Sequence, residues 1–151
     1  MTNSLAEFDT HFRIPELQVH QTDFWRWSVR PQQPTLGAGI LSLRNYQTRL
    51  SAMPEGAGAD YQRMVRVIEQ TLKQCFGYDK INHLMLMMVD SHVHYHVIPR
   101  YGGPRIFEGH TWQDGSWPTA PDLGADQAAG RPEILLQLSD HLRENRVLDG
   151  A

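Results

Sequence analysis

Three histidines occupy every second position from residue 92 to residue 96, within a segment of strand-forming residues. The segment is His92-Val93-His94-Tyr95-His96-Val97-Ile98, and valine, tyrosine and isoleucine are enriched in β-strands. Successive side chains of a strand point to opposite faces, so this spacing puts all three imidazoles on one face. The sequence therefore predicts a strand between Asp90 and Pro99 that lines one surface with imidazoles.

The size and charge of the chain exclude several classes of protein. Its 151 residues fit a single domain, predicted to span residues 1–151. The 14 basic and 17 acidic residues give a net charge of −3, which argues against a general nucleic-acid binder. No apolar stretch approaches the roughly 20 residues of a membrane span. A single cysteine, Cys75, and a start unlike a signal peptide favour a cytoplasmic protein.

Strand and helix patterns place the histidine strand inside a larger α+β domain. Short strands are predicted at 17–21, 23–30 and 36–44, an apolar strand at 80–89, a helix at 60–76 that Gly77 ends, and a last helix from Pro132. The core is expected at about 16–118, with a helical extension at about 131–146. Near the start of the chain, three apolar residues are expected to pack a short arm onto the body: Phe8, Phe12 and Ile14.

The connections between these elements favour an antiparallel sheet. Only Asp90 and Ser91 separate the apolar strand from the histidine strand. Such a link suits a hairpin and is too short for a parallel crossover. After the histidine strand, residues 100–105 are expected to form a mobile basic loop beside the imidazoles.

One chemistry that suits the three imidazoles is a metal site, because neutral imidazole is a common zinc ligand. Geometry weakens this interpretation, since residues 92 and 96 would lie roughly 13 Å apart along a strand. Two of the histidines would need further ligands, and Asp90 and His110 are the nearest in sequence.

The other chemistry uses the middle histidine as a nucleophile. Neutral imidazole can attack phosphorus, and the phosphorylated imidazole then passes its group to water. The imidazoles of His92 and His96 would hold or protonate an anionic substrate, and Arg100 would add positive charge nearby.

The segment from His92 to Arg100 resembles the signature of the histidine triad family, which contains nucleotide hydrolases and transferases. The order of the predicted elements also matches that family, including Asp79-Lys80-Ile81-Asn82 before the triad, over about residues 16–118. Two later segments resemble a bacterial branch described as diadenosine tetraphosphate hydrolase-like: Phe107-Glu108-Gly109 and Asp114-Gly115-Ser116-Trp117-Pro118.

The resemblance implies a histidine-triad-like α+β fold with a five-stranded antiparallel sheet, usually found as a homodimer. It also implies a nucleotidyl-histidine intermediate formed without a metal or other cofactor. In that scheme His94 is the nucleophile, His96 donates to the phosphate or to the departing group, and the main-chain carbonyl of His92 fixes the tautomer of His94. Ser91 would offer its hydroxyl to a phosphate oxygen.

Two positions depart from the family pattern. Many members have a fourth histidine after the glycine of the third strand, where this chain has Ala38. The acid that usually binds the ribose hydroxyls is also missing, since no Asp or Glu occurs between Asp23 and Glu55. That span instead holds Arg26, Arg30, Arg44 and Arg49, and Gln32, Gln33 or Asn45 would have to replace the acid as hydrogen-bond partners.

The sequence therefore favours an enzyme that cleaves a nucleoside phosphoanhydride or phosphoramidate. The candidate catalytic residues are His92, His94 and His96, and the candidate substrate-binding residues are Ser91, Arg100, Gln33 and Arg44. The alternative is a nucleotide-binding or metal-binding module on the same scaffold without efficient turnover. Ala38 and the missing acid favour that alternative.

Overall fold

The centre of the molecule is a five-stranded antiparallel sheet, seen in a computed structural model that describes residues 2–148. Its strands are β1 (Gln18–Gln21), β2 (Trp25–Val29), β3 (Gly39–Leu43), β4 (Lys80–Leu84) and β5 (His94–Arg100). They lie in the order β1-β2-β3-β5-β4, so the histidine strand β5 has a hydrogen-bonded neighbour on each side. The predicted α+β class and antiparallel sheet are confirmed.

Three helices complete the main body: α1 (Leu5–Phe12), α2 (Ala57–Phe76) and α3 (Pro132–Glu144). The apolar sides of α2 and α3 cover one face of the sheet, where they form a common core with Trp25 and Trp27. Helix α2 ends at Phe76 as predicted, because Gly77 takes the left-handed φ of 60° that is favoured just after a helix. No helix within residues 2–148 combines the length and apolarity needed to cross a membrane.

The opposite face of the sheet carries α1. Phe8 and Phe12 of this helix are buried in a small cluster with Ile40 of β3. Asp9 ties the helix to β2 through both oxygens of its carboxylate, which accept hydrogen bonds from Arg26 at 2.7 and 3.0 Å. The predicted N-terminal arm is thus a helix, held on the sheet by apolar contact and by an ion pair.

The connection between β4 and β5 is longer than the sequence predicts. Strand β4 ends at Leu84 instead of Val89, so residues 85–93 form the link in place of a two-residue hairpin. Met87 in this link takes a left-handed φ of 51°, which does not fit a strand. The prediction is wrong because the apolar residues of the link wall a cavity instead of pairing in the sheet. As a result, His92 lies in the link and not in the strand.

Strand β5 continues through Pro99, where the sequence predicts its end. Pro99 pairs with Ile81 of β4, beyond Val97, the last residue of β5 that pairs with β3. A proline lacks the N–H of a strand residue and is tolerated where the strand is paired on one side only. The predicted basic loop is reduced to residues 101–104, which hold no basic side chain. Arg100 belongs to β5, and Arg105 begins a second sheet made of β6 (Arg105–Phe107) and β7 (His110–Trp112).

We expect Phe8→Ala to destabilise the protein, because Phe8 is fully buried between α1 and the sheet. Truncating a buried phenylalanine costs about 3–5 kcal/mol, which urea unfolding followed by circular dichroism measures. Thr10→Ala, at an exposed position of the same helix, is the matched control and should stay within about 0.5 kcal/mol of the wild type. An equally small loss for Phe8→Ala would show that α1 is not packed on the sheet.

Candidate active site

The ring of His94, at the start of β5, is held in one tautomer by the main chain. Its Nδ1 lies 2.6 Å from the carbonyl oxygen of His92. A carbonyl oxygen only accepts, so Nδ1 carries the hydrogen and Nε2 of the neutral ring keeps its lone pair. Burial lowers the pKa of His94, more than its hydrogen bond to His92 raises it. The ring is therefore neutral at pH 7, as a nucleophile must be.

His92 serves as an anchor for that carbonyl. Its Nε2 donates to the carbonyl oxygen of Leu43 at 2.8 Å, and its Nδ1 accepts from the amide of Gln47 at 3.2 Å. The ring also stacks on Tyr46, with the two planes 11° apart. Because both ring nitrogens are used, His92 positions His94 and has no nitrogen left for a substrate.

His96 lies beside His94, with the two rings edge to face and their centroids 5.1 Å apart. Its Nδ1 is buried and has no hydrogen-bond partner in the described part of the chain. Burial, together with the charges of His94 and Arg30, lowers the pKa of His96 to about 4. At neutral pH this ring is an uncharged imidazole with one N–H to donate.

A cavity of about 490 Å³ opens over His94 and His96, within the size range of small-molecule sites. The remaining lining residues come from α1, from the turn after β2, from the 85–93 link and from one later loop: His11, Phe12, Arg30, Pro31, Gln32, Leu86, Met87, Met88, Val89, Asp90 and Leu123. Besides the two imidazoles, the lining includes one arginine, one aspartate and a third histidine. Most of the other lining residues are apolar. The cavity thus has a polar part, with one arginine, one aspartate and three histidines, and an apolar part.

Arg30 is the cation of this cavity. It directly follows β2 and is only 8% exposed. Its Nη1 donates to the carbonyl oxygen of Gln32 at 3.1 Å, whereas its buried Nε has no partner within residues 2–148. Because Arg30 lines the same cavity as His94 and His96, its guanidinium is suited to bind a phosphate oxygen there.

Arg30 is not among the four substrate-binding residues that the sequence predicts, although it lies in the span without acids. The available signal was its position near the end of the second strand, where the family usually places an acid. Gln33, one of the four predicted substrate-binding residues, is fully buried and holds the main chain of Arg30 by a hydrogen bond. Its Nε2 donates to the carbonyl oxygens of Arg30 and Ala38, both at 2.7 Å. Gln33 therefore shapes the turn after β2 and does not line the cavity, whereas the neighbouring Gln32 does.

Arg100 does not reach the cavity. It is buried, and its Nε and Nη2 donate to the two carboxylate oxygens of Asp114 at 2.6 and 3.1 Å. Its Nη1 donates to the side chain of Asn82 at 2.9 Å. The predicted substrate contact is corrected to a structural one, because Arg100 joins β5 to β4 and to the loop after β7.

The two remaining substrate-binding candidates also lie outside the cavity lining. Arg44 is exposed and donates to the carbonyl oxygens of Thr22 and Asp23, so it braces the start of β2. Ser91 is half-buried in the 85–93 link, next to the lining residue Asp90 but not itself a lining residue. Of the four predicted substrate-binding residues, none lines the cavity.

The ligand set considered for a metal is not assembled either. Both nitrogens of His92 are engaged with the main chain, and His110 lies in β7 of the second sheet. Among residues 2–148, no three or more His, Cys, Asp or Glu side chains are grouped so that they could hold a metal ion.

Solved structures of several histidine triad proteins share this fold. A histidine triad protein of Sinorhizobium meliloti superposes with a TM-score of 0.66 at 20% identity, over 88% of this chain and 93% of its own. A Hit-like protein involved in cell-cycle regulation from Bartonella henselae gives 0.64 at 17% identity, over 95% and 96%. The diadenosine triphosphate hydrolase of Plasmodium falciparum gives 0.63 at 11% identity, over 86% and 76%. Neither a protein-family model nor a curated protein matches the sequence.

These likenesses confirm the histidine-triad-like fold that the sequence resemblance implies. At identities of 20% or less they establish the fold alone. The chemistry of this chain therefore has to be argued from its own site.

The Arg100–Asp114 pair is expected to stabilise the fold. Burial tends to raise the pKa of Asp114, but hydrogen bonds from Arg100 and from two main-chain amides outweigh it and lower the pKa. A lowered folded pKa means that this stabilisation is complete above the unfolded pKa and is lost as pH falls through the folded pKa. Asp114→Asn leaves a buried guanidinium without its counter-charge and should cost about 3–5 kcal/mol at pH 7.

Urea unfolding at pH 7 and at stepwise lower pH measures both effects. The difference between Asp114→Asn and the wild type should shrink as the pH falls below the unfolded pKa. Asp23→Asn, at an exposed position, is the control and should change neither stability nor its pH dependence. A pH-independent difference would contradict the assigned ion pair.

Proposed function

We propose that this protein cleaves nucleoside phosphoanhydrides or phosphoramidates through a nucleotide bound covalently to His94. The observation that carries the proposal is the fixed tautomer of His94, whose Nε2 lone pair is left free at the floor of a cavity. His96 and Arg30 line the same cavity. They supply the N–H donors that an attacked phosphoryl group requires.

The first step is attack of His94 Nε2 on phosphorus. A P–N bond forms as the bond to the leaving group breaks, and the ring carries a positive charge that its Nδ1–H shares with the carbonyl of His92. The N–H of His96 and the guanidinium of Arg30 stabilise the phosphoryl oxygens. Water then attacks phosphorus, the P–N bond breaks and the neutral imidazole is restored.

The substrate class follows from the position of Arg30 in the cavity. Arg30 stands near the end of the second strand, where the family usually has its ribose-binding acid, so we assign this position to phosphate binding. The structural likeness to a diadenosine triphosphate hydrolase supports a phosphoanhydride among the substrates to be tested. The narrower diadenosine tetraphosphate hydrolase-like branch stays a prediction, as do the homodimer, the single-domain boundaries and the cytoplasmic location.

A second candidate function is nucleotide binding without efficient turnover. This second function is favoured by the burial of His94 under α1. His94 is 2% exposed, and its ring contacts the rings of Phe8 and Phe12. While α1 stays in this position, this packing restricts the approach of a phosphoryl group to Nε2 of His94.

Turnover of a diadenosine polyphosphate and of a lysine-linked adenosine phosphoramidate separates these functions. His94→Ala should lower kcat by several powers of ten while leaving the fold intact. Arg30→Gln should lower kcat/KM by about 10- to 100-fold, which corresponds to about 1.5–3 kcal/mol for a hydrogen bond to a charged group. Arg44→Gln, which removes an exposed arginine outside the cavity, is the matched control and should behave as wild type.

Three outcomes would contradict the proposal. Binding of either nucleotide without turnover would establish the second candidate function. Full activity of His94→Ala would show that the nucleophile is wrongly assigned. Stoichiometric zinc in the purified protein, with turnover abolished by its removal, would favour a metal-dependent reaction.

A further inference from the structure

His11 brings a third imidazole to the cavity from the last turn of α1. Its Nδ1 lies 2.9 Å from Oδ1 of Asp90, a carboxylate of the 85–93 link that lines the same cavity. The same oxygen accepts a hydrogen bond from the hydroxyl of Thr2 at 2.8 Å, which fixes the carboxylate. A carboxylate only accepts, so Nδ1 of His11 is the donor and Nε2 is left as the nitrogen that can meet a ligand.

The exposure of His11 differs from that of the two histidines below it. Its side chain is 51% exposed, whereas Asp90 is buried. The ring is therefore open to solvent while its orientation is fixed by a buried carboxylate. This is the arrangement by which an aspartate prepares a histidine for acid–base chemistry.

His96 is poorly suited to supply a proton. Burial, His94 and Arg30 lower its pKa to about 4, so very little of it is imidazolium at neutral pH. It can donate a hydrogen bond to a phosphoryl oxygen but holds no proton to give to a departing group. His94 is the nucleophile, which leaves His11 as the one other histidine that lines this cavity.

We infer that His11, oriented by Asp90, is the acid–base residue of the reaction, and this inference rests on the proposed function. In the first step, His11 Nε2–H gives its proton to the leaving group as the bond from phosphorus to that group breaks. In the second step, the neutral His11 takes a proton from the water that attacks phosphorus. The P–N bond to His94 then breaks, and both histidines return to their starting states.

First-turnover kinetics of His11→Gln test this role with two substrates. One is an adenosine 5′-phosphate ester of 4-nitrophenol, whose leaving group is a weak base, and the other is the lysine-linked phosphoramidate, whose amine must be protonated. Glutamine can still donate to Asp90 but cannot carry a proton. Thr10→Ala, the exposed neighbour on α1, is the matched control.

With the phosphoramidate, His11→Gln should slow the first turnover by about 10²- to 10⁴-fold, the usual effect of losing an acid. With the nitrophenyl ester, the first turnover should stay close to the wild-type rate. The second step should then be slow, so that a burst of nitrophenolate appears and adduct accumulates on His94. Added imidazole should restore part of the lost rate, which a purely structural role of His11 would not allow.

Equal losses with both substrates, without rescue by imidazole, would overturn the inference and indicate that the change disturbs α1. Wild-type behaviour of His11→Gln would overturn it as well, while the proposed function would stand. An inactive wild type with both substrates would instead refute the proposed function and this inference with it. Should His11→Gln fold poorly, Asp90→Asn tests the same role, because it removes the carboxylate that orients Nδ1 of His11. Its first turnover should again be slowed more with the phosphoramidate than with the nitrophenyl ester, by a smaller factor than in His11→Gln.

Discussion

The hydrogen bond from His94 Nδ1 to the carbonyl of His92 is the interaction on which the rest of the site depends. It decides which nitrogen of the nucleophile keeps a lone pair. The carbonyl can do this only while the His92 backbone is fixed, and the bonds of that ring to Leu43 and Gln47 supply the restraint. His92 thus serves to orient His94, so that one nitrogen of the His94 ring can attack phosphorus.

Burial sets the protonation states that this chemistry requires. Helix α1 packs Phe8 and Phe12 against the ring of His94, and burial lowers the pKa of His94 and of His96. Neutral imidazoles are good nucleophiles and hydrogen-bond donors but poor acids. The site therefore needs its proton from a more exposed group, and the same helix carries His11 at the rim of the cavity.

Much of the fold could be predicted from the sequence because it rests on periodic patterns. The alternation of histidines identified β5, and the 3.6-residue spacing with Gly77 placed the end of α2 correctly. Residues 85–89 were misassigned because an apolar run has the same pattern whether it forms a buried strand or the wall of a cavity. Because of that error, the sequence predicts a β4–β5 link of two residues instead of the observed 85–93 link.

The site was less predictable, because nearness along the chain does not decide which side chains meet in space. Arg100 lies only four residues after His96 but is neutralised by Asp114, fourteen residues later. Arg30 and His11 are distant in sequence and reach the cavity only through sheet order and the packing of α1. A single sequence carries no pattern for such contacts. The one signal for Arg30 in the sequence is its place near the end of the second strand, where the family usually has an acid.

The most direct test of this account is to identify the residue that carries the nucleotide during turnover. The wild-type protein is mixed with the nitrophenyl ester of adenosine 5′-phosphate, quenched within milliseconds, digested at alkaline pH because phosphorylated histidine is labile in acid, and mapped by mass spectrometry. The account predicts the mass of an adenylyl group on the peptide at His94, and its absence from His94→Ala. An adduct on another residue, or turnover by His94→Ala at the wild-type rate, would contradict it.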